Sequence, residues 1–227
     1  MKVEIWSDFM CPFCYIGSSR LQKAVKNVTD PIEIEFRTFQ LFPDMRGLEE
    51  KSLDEAIADI KGIDVSEIAG IHQKLKAVGH EEGLEFDFSR LSPVNSLDAL
   101  RLVHLSKANG CQQEFVNAVF KSFFTDGQDI GDHSILTEIG VKIGLKKEAV
   151  MEVLDGSAYL EEVYKDQSVG SQIGVKSVPF YVFNNHFALS GAHSIEIFEE
   201  VLKKAREEYV EDCNVRKCSD CNCDRFG

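Results

Sequence analysis

Apolar and polar residues follow two different periods along the chain, and the period changes twice. Residues 3–6 predict a short buried strand, and Ile16, Leu21 and Val25 recur at the spacing of an amphipathic helix. Residues 32–37 alternate apolar and charged side chains, as a half-buried strand does. Residues 2–39 are therefore predicted to form one βαβ unit.

The helical period dominates the middle of the chain, from about residue 49 to residue 173, and the strand period then returns. Residues 179–183 and 186–189 predict a hairpin around Asn184 and Asn185, because asparagine tolerates the left-handed backbone of a tight turn. Ser194 predicts the start of a last helix over residues 195–208. Beyond residue 208 the apolar period ends, and we expect an exposed tail.

Composition narrows the possible partners. The chain has 227 residues, 44% of them hydrophobic, which is enough for a sizeable core. A net charge of −13 disfavours binding to nucleic acid or to an anionic membrane. No apolar run approaches the roughly 20 residues that span a bilayer, and we expect no secretory leader, because strand residues begin at Lys2. We expect a cytoplasmic protein.

Cys11 and Cys14 are the strongest chemical signal, because they lie between the first strand and the first helix. A helix N-terminus stabilises a thiolate through its unpaired N–H groups and its dipole. This position predicts a redox-active dithiol with an exposed first sulfur and a buried second one. The alternative for two cysteines at this spacing is half of a zinc site, but no second pair of ligands lies at finger spacing nearby.

A second element of such a site is predicted at Val178 and Pro179, immediately before the third strand. Proline cannot donate to a sheet ladder, so Pro179 belongs at the start of a strand or in a cis turn. We expect a cis bond that places this loop against Cys11 and leaves the backbone of Val178 able to pair with an extended peptide.

These features together resemble the DsbA family of thioredoxin-fold oxidoreductases. The residues that carry the resemblance are Asp8-Phe-Met-Cys-Pro-Phe-Cys14, Gly174-Val-Lys-Ser-Val-Pro-Phe180 and the terminal ββα pattern. The resemblance implies an α/β fold, namely a thioredoxin fold (βαβ…ββα) with a large all-helical insertion between its halves. The expected boundaries are 1–45 and 174–208 for the thioredoxin-like domain, 46–173 for the inserted helical domain and 209–227 for a Cys-rich tail. By the same resemblance, Cys11 is the nucleophile, Cys14 the resolving thiol and Pro179 the cis-proline of the site.

Within that family, three segments are similar to the cytosolic FrnE-type branch of predicted dithiol-disulfide isomerases. The segments are Asn95-Ser-Leu-Asp-Ala-Leu-Arg-Leu-Val-His104, Phe123-Phe-Thr-Asp-Gly-Gln-Asp-Ile130 and Leu189-Ser-Gly-Ala192. Some members of that branch carry an additional pair of cysteines, which Cys213 and Cys218 match in spacing.

The residues between the two site cysteines depart from the family's periplasmic oxidant, which has a histidine there. Pro12 and Phe13 offer no cation to the thiolate, so we expect a less oxidising couple. Pro12 and Phe13 are also expected to contact substrate. Trp6, Phe9 and Met10 would complete an apolar rim that grips unfolded peptide, with core packing of Trp6 and Phe9 as the alternative.

The tail holds four cysteines within eleven residues, at Cys213, Cys218, Cys221 and Cys223. Redox exchange with the main site, a zinc site and an inert tail all remain open for this cluster. Zinc is the one cofactor considered, and no organic cofactor is expected.

The sequence therefore predicts an enzyme, a thiol-disulfide oxidoreductase or isomerase acting on proteins, peptides or small thiols. Glutathione or a thioredoxin-type protein would supply electrons. One alternative is a glutathione-dependent transferase or isomerase of the kappa type, although such enzymes generally have a single reactive residue where this chain keeps two cysteines. Another is a metal-binding or interaction protein that uses the Cys-rich tail.

Overall fold

The computed structural model describes residues 1–216 apart from 30, 44, 46, 47 and 49, and only the backbone of residues 209–216. Four strands in this part of the chain form one sheet in the order β2-β1-β3-β4. The strands are β1 (Lys2–Ser7), β2 (Glu33–Thr38), β3 (Phe180–Phe183) and β4 (Phe187–Ser190). β1 pairs with β2 in parallel and with β3 antiparallel, and β3 pairs antiparallel with β4.

The other regular elements of the described chain are helices. They are α1 (Pro12–Lys26), α2 (Leu53–Lys61), α3 (Val65–Glu81), α4 (Leu97–Ala108), α5 (Gln112–Phe124), α6 (His133–Lys142), α7 (Lys147–Asp155), α8 (Leu160–Gln172) and α9 (Ile195–Arg216), with a short 3₁₀ helix at Phe88–Arg90. The order is βαβ, then α2 to α8, then ββα. The predicted α/β fold with a helical insertion between two halves is confirmed.

The last helix differs from the prediction, because α9 continues to Arg216 instead of ending near residue 208. Residues 209–216 contain neither glycine nor proline, so nothing in them interrupts helical hydrogen bonding. The loss of apolar period in this segment marks the end of the buried helix face, and the helix itself goes on beyond it.

Helices cover both faces of the sheet. Tyr181 of β3 contacts Phe198 of α9, with ring centroids 4.9 Å apart, and approaches Gly17 of α1. Trp6 of β1 points to the opposite face, where a side chain at Gly170 of α8 would lie 2.8 Å from its indole. The site at the end of β1 is thus held between the two thioredoxin halves and the insertion.

The open edge of β2 is covered by side chains of the insertion. Gln112 accepts from the Phe36 N–H and donates to the Phe36 carbonyl, both at 3.0 Å, as a neighbouring strand would. Asp166 accepts from the Thr38 N–H at 3.0 Å. These bonds satisfy strand groups that would otherwise be exposed for pairing with another chain.

In the described residues, every helix is too short or too polar to cross a membrane.

Candidate active site

Cys11 occupies the N-cap position of α1, directly after the loop that follows β1. Its backbone is extended, with φ −101° and ψ 107°, and Pro12 takes the first helical position, where its missing N–H has no consequence. The N–H of Cys14 donates to the Cys11 carbonyl at 3.0 Å, which closes the first turn. Both thiols are free, and both lie at the start of α1 as predicted.

The Cys11 sulfur is less accessible than the sequence suggested. We expected it to be exposed, but Cys11 is only 4% exposed and Cys14 only 1%. The loop before β3 lies against the thiol, and Cys11 Sγ donates to the Val178 carbonyl at 3.4 Å. The Val178–Pro179 peptide bond is cis, as predicted, and Gly191 N–H binds the Pro179 carbonyl at 2.8 Å.

Cys14 lies in a dry environment below the first sulfur. Burial raises the pKa of the Cys14 thiol well above its ordinary value, and its hydrogen bond to Cys11 acts in the same direction. The Ser7 hydroxyl and the Asp8 backbone also bind the Cys14 sulfur and act to lower that pKa. At neutral pH Cys14 is therefore a protonated thiol in the resting dithiol.

Asp8 is a buried carboxyl three residues before Cys11, and the sequence pattern alone indicates no role for it. It accepts from the Leu41 N–H at 2.6 Å and from the Met10 N–H at 3.2 Å. Burial raises the pKa of Asp8 above its usual range, although these hydrogen bonds oppose the shift. Asp8 thus ties the loop that carries Cys11 to the chain that follows β2.

Tyr181 was also missed, because in the sequence it reads as an ordinary apolar position of a strand. Its side chain is fully buried, and its hydroxyl has no hydrogen-bond partner among the described residues. A Cβ atom at Gly17 would lie 2.2 Å from this hydroxyl. The Tyr181 hydroxyl therefore lies against α1, one turn beyond Cys14.

The predicted apolar rim is wrong for three of its four residues. Trp6, Phe9 and Met10 are each 2% exposed. Trp6 Nε1 donates to the Asp166 carbonyl at 2.8 Å, and the Phe9 ring packs edge-on against Phe120. The large apolar surfaces of Trp6 and Phe9 are buried between the sheet and the insertion, which was the alternative prediction for these two residues. Phe13, which is 44% exposed, is the apolar side chain left at the surface beside the dithiol.

One of the four tail cysteines lies within the described residues. The backbone of Cys213 belongs to α9, while Cys218, Cys221 and Cys223 lie outside the described residues. No group of three or more metal-ligating side chains is found in the described part of the chain.

Comparison with known proteins places this geometry in a family. A crystal structure described as a probable DsbA oxidoreductase from Streptomyces coelicolor is 31% identical, covers 92% of this chain and 91% of its own, and has a TM-score of 0.85. A 2-hydroxychromene-2-carboxylate isomerase is 16% identical, with coverage of 93% and 98% and a TM-score of 0.70. The cytosolic disulfide reductase DsbM from Pseudomonas aeruginosa, in a structure with GSH, is 14% identical, with coverage of 94% and 100% and a TM-score of 0.63.

The family described as DSBA-like thioredoxin domain matches residues 2–203, nearly the whole chain. This match confirms the resemblance drawn from the sequence, the thioredoxin fold and the oxidoreductase class of enzyme. The chain belongs to the DSBA-like thioredoxin domain family.

Proposed function

We propose that this protein is a thiol-disulfide oxidoreductase or isomerase that exchanges disulfides with protein, peptide or small-thiol substrates through Cys11 and Cys14. The observation that carries the proposal is the position of Cys11, whose sulfur lies at the N-terminus of α1 and against the loop of the cis Val178–Pro179 bond. The burial of Cys14 keeps the second thiol protonated until it is needed.

The reaction proceeds in two exchanges. The Cys11 thiolate attacks one sulfur of a substrate disulfide, and the other substrate sulfur leaves as a thiolate that takes up a proton. Cys14 then loses its proton and attacks the Cys11 sulfur, which releases the substrate's remaining sulfur and leaves a Cys11–Cys14 disulfide. Two electrons have then passed to the substrate, and oxidation of a substrate dithiol follows the same steps in reverse.

The loop beside Cys11 supports binding of an extended peptide. Within the described residues, the Val178 N–H makes no hydrogen bond, and the Val178 carbonyl accepts only from the Cys11 thiol. Ionisation of Cys11 removes that donor, so both backbone groups of Val178 become available to a peptide strand. Phe13 and Pro12 form the adjacent surface, where Phe13 can cover apolar substrate side chains.

The proposed source of electrons follows from thiol-disulfide exchange chemistry and from one protein of similar fold. Pseudomonas aeruginosa DsbM is a cytosolic disulfide reductase whose structure was solved with GSH. We extend to this chain a cytoplasmic location and reduction by glutathione or by a thioredoxin-type protein. Assignment to the FrnE-type branch also stays a prediction.

The 2-hydroxychromene-2-carboxylate isomerase structure relates to the kappa-type alternative, but at 16% identity it shows only that the two proteins share a fold. Two free cysteines next to each other in the site favour dithiol chemistry over a reaction that needs a single thiol.

The tail cysteines remain a separate prediction, either as a second redox pair or as zinc ligands. Because α9 rises about 1.5 Å per residue, the backbone of Cys213 lies about 27 Å along the helix from Ile195. Ile195 starts the helix that follows Ala192, which lies beside Gly17 and so near the site. An intact α9 therefore holds Cys213 away from Cys11, and exchange between them would involve a second molecule. Zinc content of wild type and of a Cys213→Ser/Cys218→Ser variant separates metal binding from redox exchange.

The central test is insulin reduction and refolding of scrambled ribonuclease by wild type, Cys11→Ser and Cys14→Ser, with Cys111→Ser as a matched control. We expect Cys11→Ser to abolish both activities and Cys14→Ser to accumulate mixed disulfides. Cys111 is a half-buried thiol at the start of α5, so its loss should change neither activity. Full activity of Cys11→Ser would refute the proposal. The redox potential, measured on the same samples, should be less oxidising than that of the periplasmic oxidant.

A further inference from the structure

Arg20 connects the dithiol helix α1 to two other parts of the protein. Its Nε donates to Glu82 Oε1, at the C-terminal end of α3, at 2.6 Å. Its Nη1 donates to the Ala192 carbonyl at 3.0 Å and to the His193 carbonyl at 3.5 Å. These two carbonyls belong to residues 191–193, the β4–α9 turn. The side chains of Arg20 and Glu82 are 17% and 11% exposed, so solvent screens their contact only weakly.

The β4–α9 turn also holds the cis-proline loop. The Gly191 N–H donates to the Pro179 carbonyl at 2.8 Å, and φ is +100° at Gly191, a conformation that favours glycine. A Cβ atom at Gly17 would lie 3.3 Å from Pro179 Cγ and 3.5 Å from Ala192 Cα, so the loop and the turn pack on the same face of α1. A shift of the turn along α1 would therefore move Pro179 relative to Cys11.

The bond between the turn and the loop matters most during thiol exchange. Within the described residues, the resting loop is held at Val178 by the Cys11 thiol, at 3.4 Å, and at Pro179 by the Gly191 N–H. Ionisation of Cys11 removes its donor, and the bond from Gly191 then holds the loop. This is the state in which the backbone groups of Val178 become available to an extended peptide.

We propose that Arg20 is a positioning residue, which holds the cis-proline loop, through the β4–α9 turn, where Val178 can pair with a peptide substrate. The inference rests on the proposed function of the dithiol, and it identifies extended disulfide-containing peptides as the substrates that need this support. A small disulfide has no peptide backbone to pair with Val178, so its reaction with Cys11 does not depend on Arg20.

Lys23 provides a matched control on the same helix. Its ammonium donates to Glu82 Oε2 at 2.6 Å and to the Glu82 carbonyl at 2.9 Å. In the described part of the chain, Lys23 makes no hydrogen bond to the β4–α9 turn. Lys23→Met and Arg20→Met therefore each remove one positive charge and one link to Glu82, and only Arg20→Met also removes the contacts with the turn.

The first measurement compares turnover of insulin with turnover of 2-hydroxyethyl disulfide, with dithiothreitol as the reductant. In Arg20→Met we expect a KM for insulin about fivefold higher, because the turn loses a charged hydrogen-bond donor, with kcat within about twofold of wild type. The kcat/KM for 2-hydroxyethyl disulfide should stay within about twofold of wild type. Lys23→Met should change none of these quantities by more than about twofold.

The second measurement needs no substrate. Hydrogen exchange at the Gly191 amide should be about tenfold faster in Arg20→Met, because the turn that carries this amide is held less firmly, and close to wild type in Lys23→Met. An unchanged exchange rate in Arg20→Met, or the same increase in both variants, overturns the inference.

The kinetic results can also contradict it. A KM for insulin within about twofold of wild type in Arg20→Met overturns the inference. An equal fall in kcat/KM for insulin and for 2-hydroxyethyl disulfide does so too, because loss of a positive charge near the thiols would then explain the effect. If wild type reduces neither disulfide, the proposed function fails, and exchange at Gly191 still decides whether Arg20 holds the turn.

Discussion

Replacement of Gly17 by alanine should destabilise the protein because the new methyl group would collide with the Tyr181 hydroxyl, across the interface between α1 and the sheet. The added Cβ would lie 2.2 Å from the Tyr181 hydroxyl, 3.3 Å from Pro179 Cγ and 3.5 Å from Ala192 Cα. Only the first distance is far below a normal van der Waals contact. The clash therefore depends on the tyrosine hydroxyl much more than on the backbone around it.

Two opposing contributions determine the size of the effect. Overpacking of a well-packed interior costs about 1–3 kcal/mol, while alanine in place of glycine within a helix stabilises by about 0.5–1 kcal/mol. We expect Gly17→Ala to lower the free energy of unfolding by about 1–2 kcal/mol in wild type. In a Tyr181→Phe background the 2.2 Å contact is removed, and the same change should be close to neutral.

Urea unfolding of the four reduced proteins in this double-mutant cycle measures the difference. Gly70→Ala is the control, because a Cβ at that position of α3 meets no atom within 4 Å. It should stabilise by about 0.5–1 kcal/mol in both backgrounds. If the penalty of Gly17→Ala is the same in both backgrounds to within about 0.5 kcal/mol, the hydroxyl is not the obstacle and the reasoning is wrong.

Two further substitutions test how the insertion is held to the thioredoxin halves. Burial acts to raise the pKa of Glu82, but its hydrogen bonds to Lys23 and Arg20 outweigh burial and hold this pKa below its ordinary value. Its contribution to stability is therefore present above about pH 4.3 and lost as the pH falls through the lowered folded-state pKa. Glu82→Gln should lower the free energy of unfolding by about 1 kcal/mol at pH 7. Urea unfolding at pH 7 and pH 3 should show that the variant loses less stability on acidification than wild type does. Gln112→Ala leaves the Phe36 N–H and carbonyl without their side-chain partner. We expect the free energy of unfolding to fall by about 2–4 kcal/mol and hydrogen exchange at the Phe36 amide to become faster. An unchanged exchange rate would contradict the assigned hydrogen bonds.

Much of the site could be predicted because its chemistry is local in sequence. Cys11 before Pro12 at the start of a helix, and Pro179 at the start of a strand, depend on backbone rules that act over a few residues. The alternating and helical periods likewise report which elements form and in which order. These features predicted the thioredoxin halves, the helical insertion and the position of the dithiol.

The residues whose burial was predicted wrongly are determined by contacts between distant parts of the chain. Trp6 is a core residue because it meets α8, 160 positions later, and Cys11 is covered because a loop 167 positions away lies on its sulfur. No local sequence pattern predicts either contact.

The sequence by itself determined which residues could perform thiol chemistry and which secondary structure carries them, because capping, proline geometry and apolar period are properties of short segments. Only the tertiary structure decided how deeply each thiol is buried and which side chains pack against the helix that carries them. Burial and hydrogen-bond partners follow from packing, and Gly17 and Tyr181 are brought together only when the two halves of the fold close around α1.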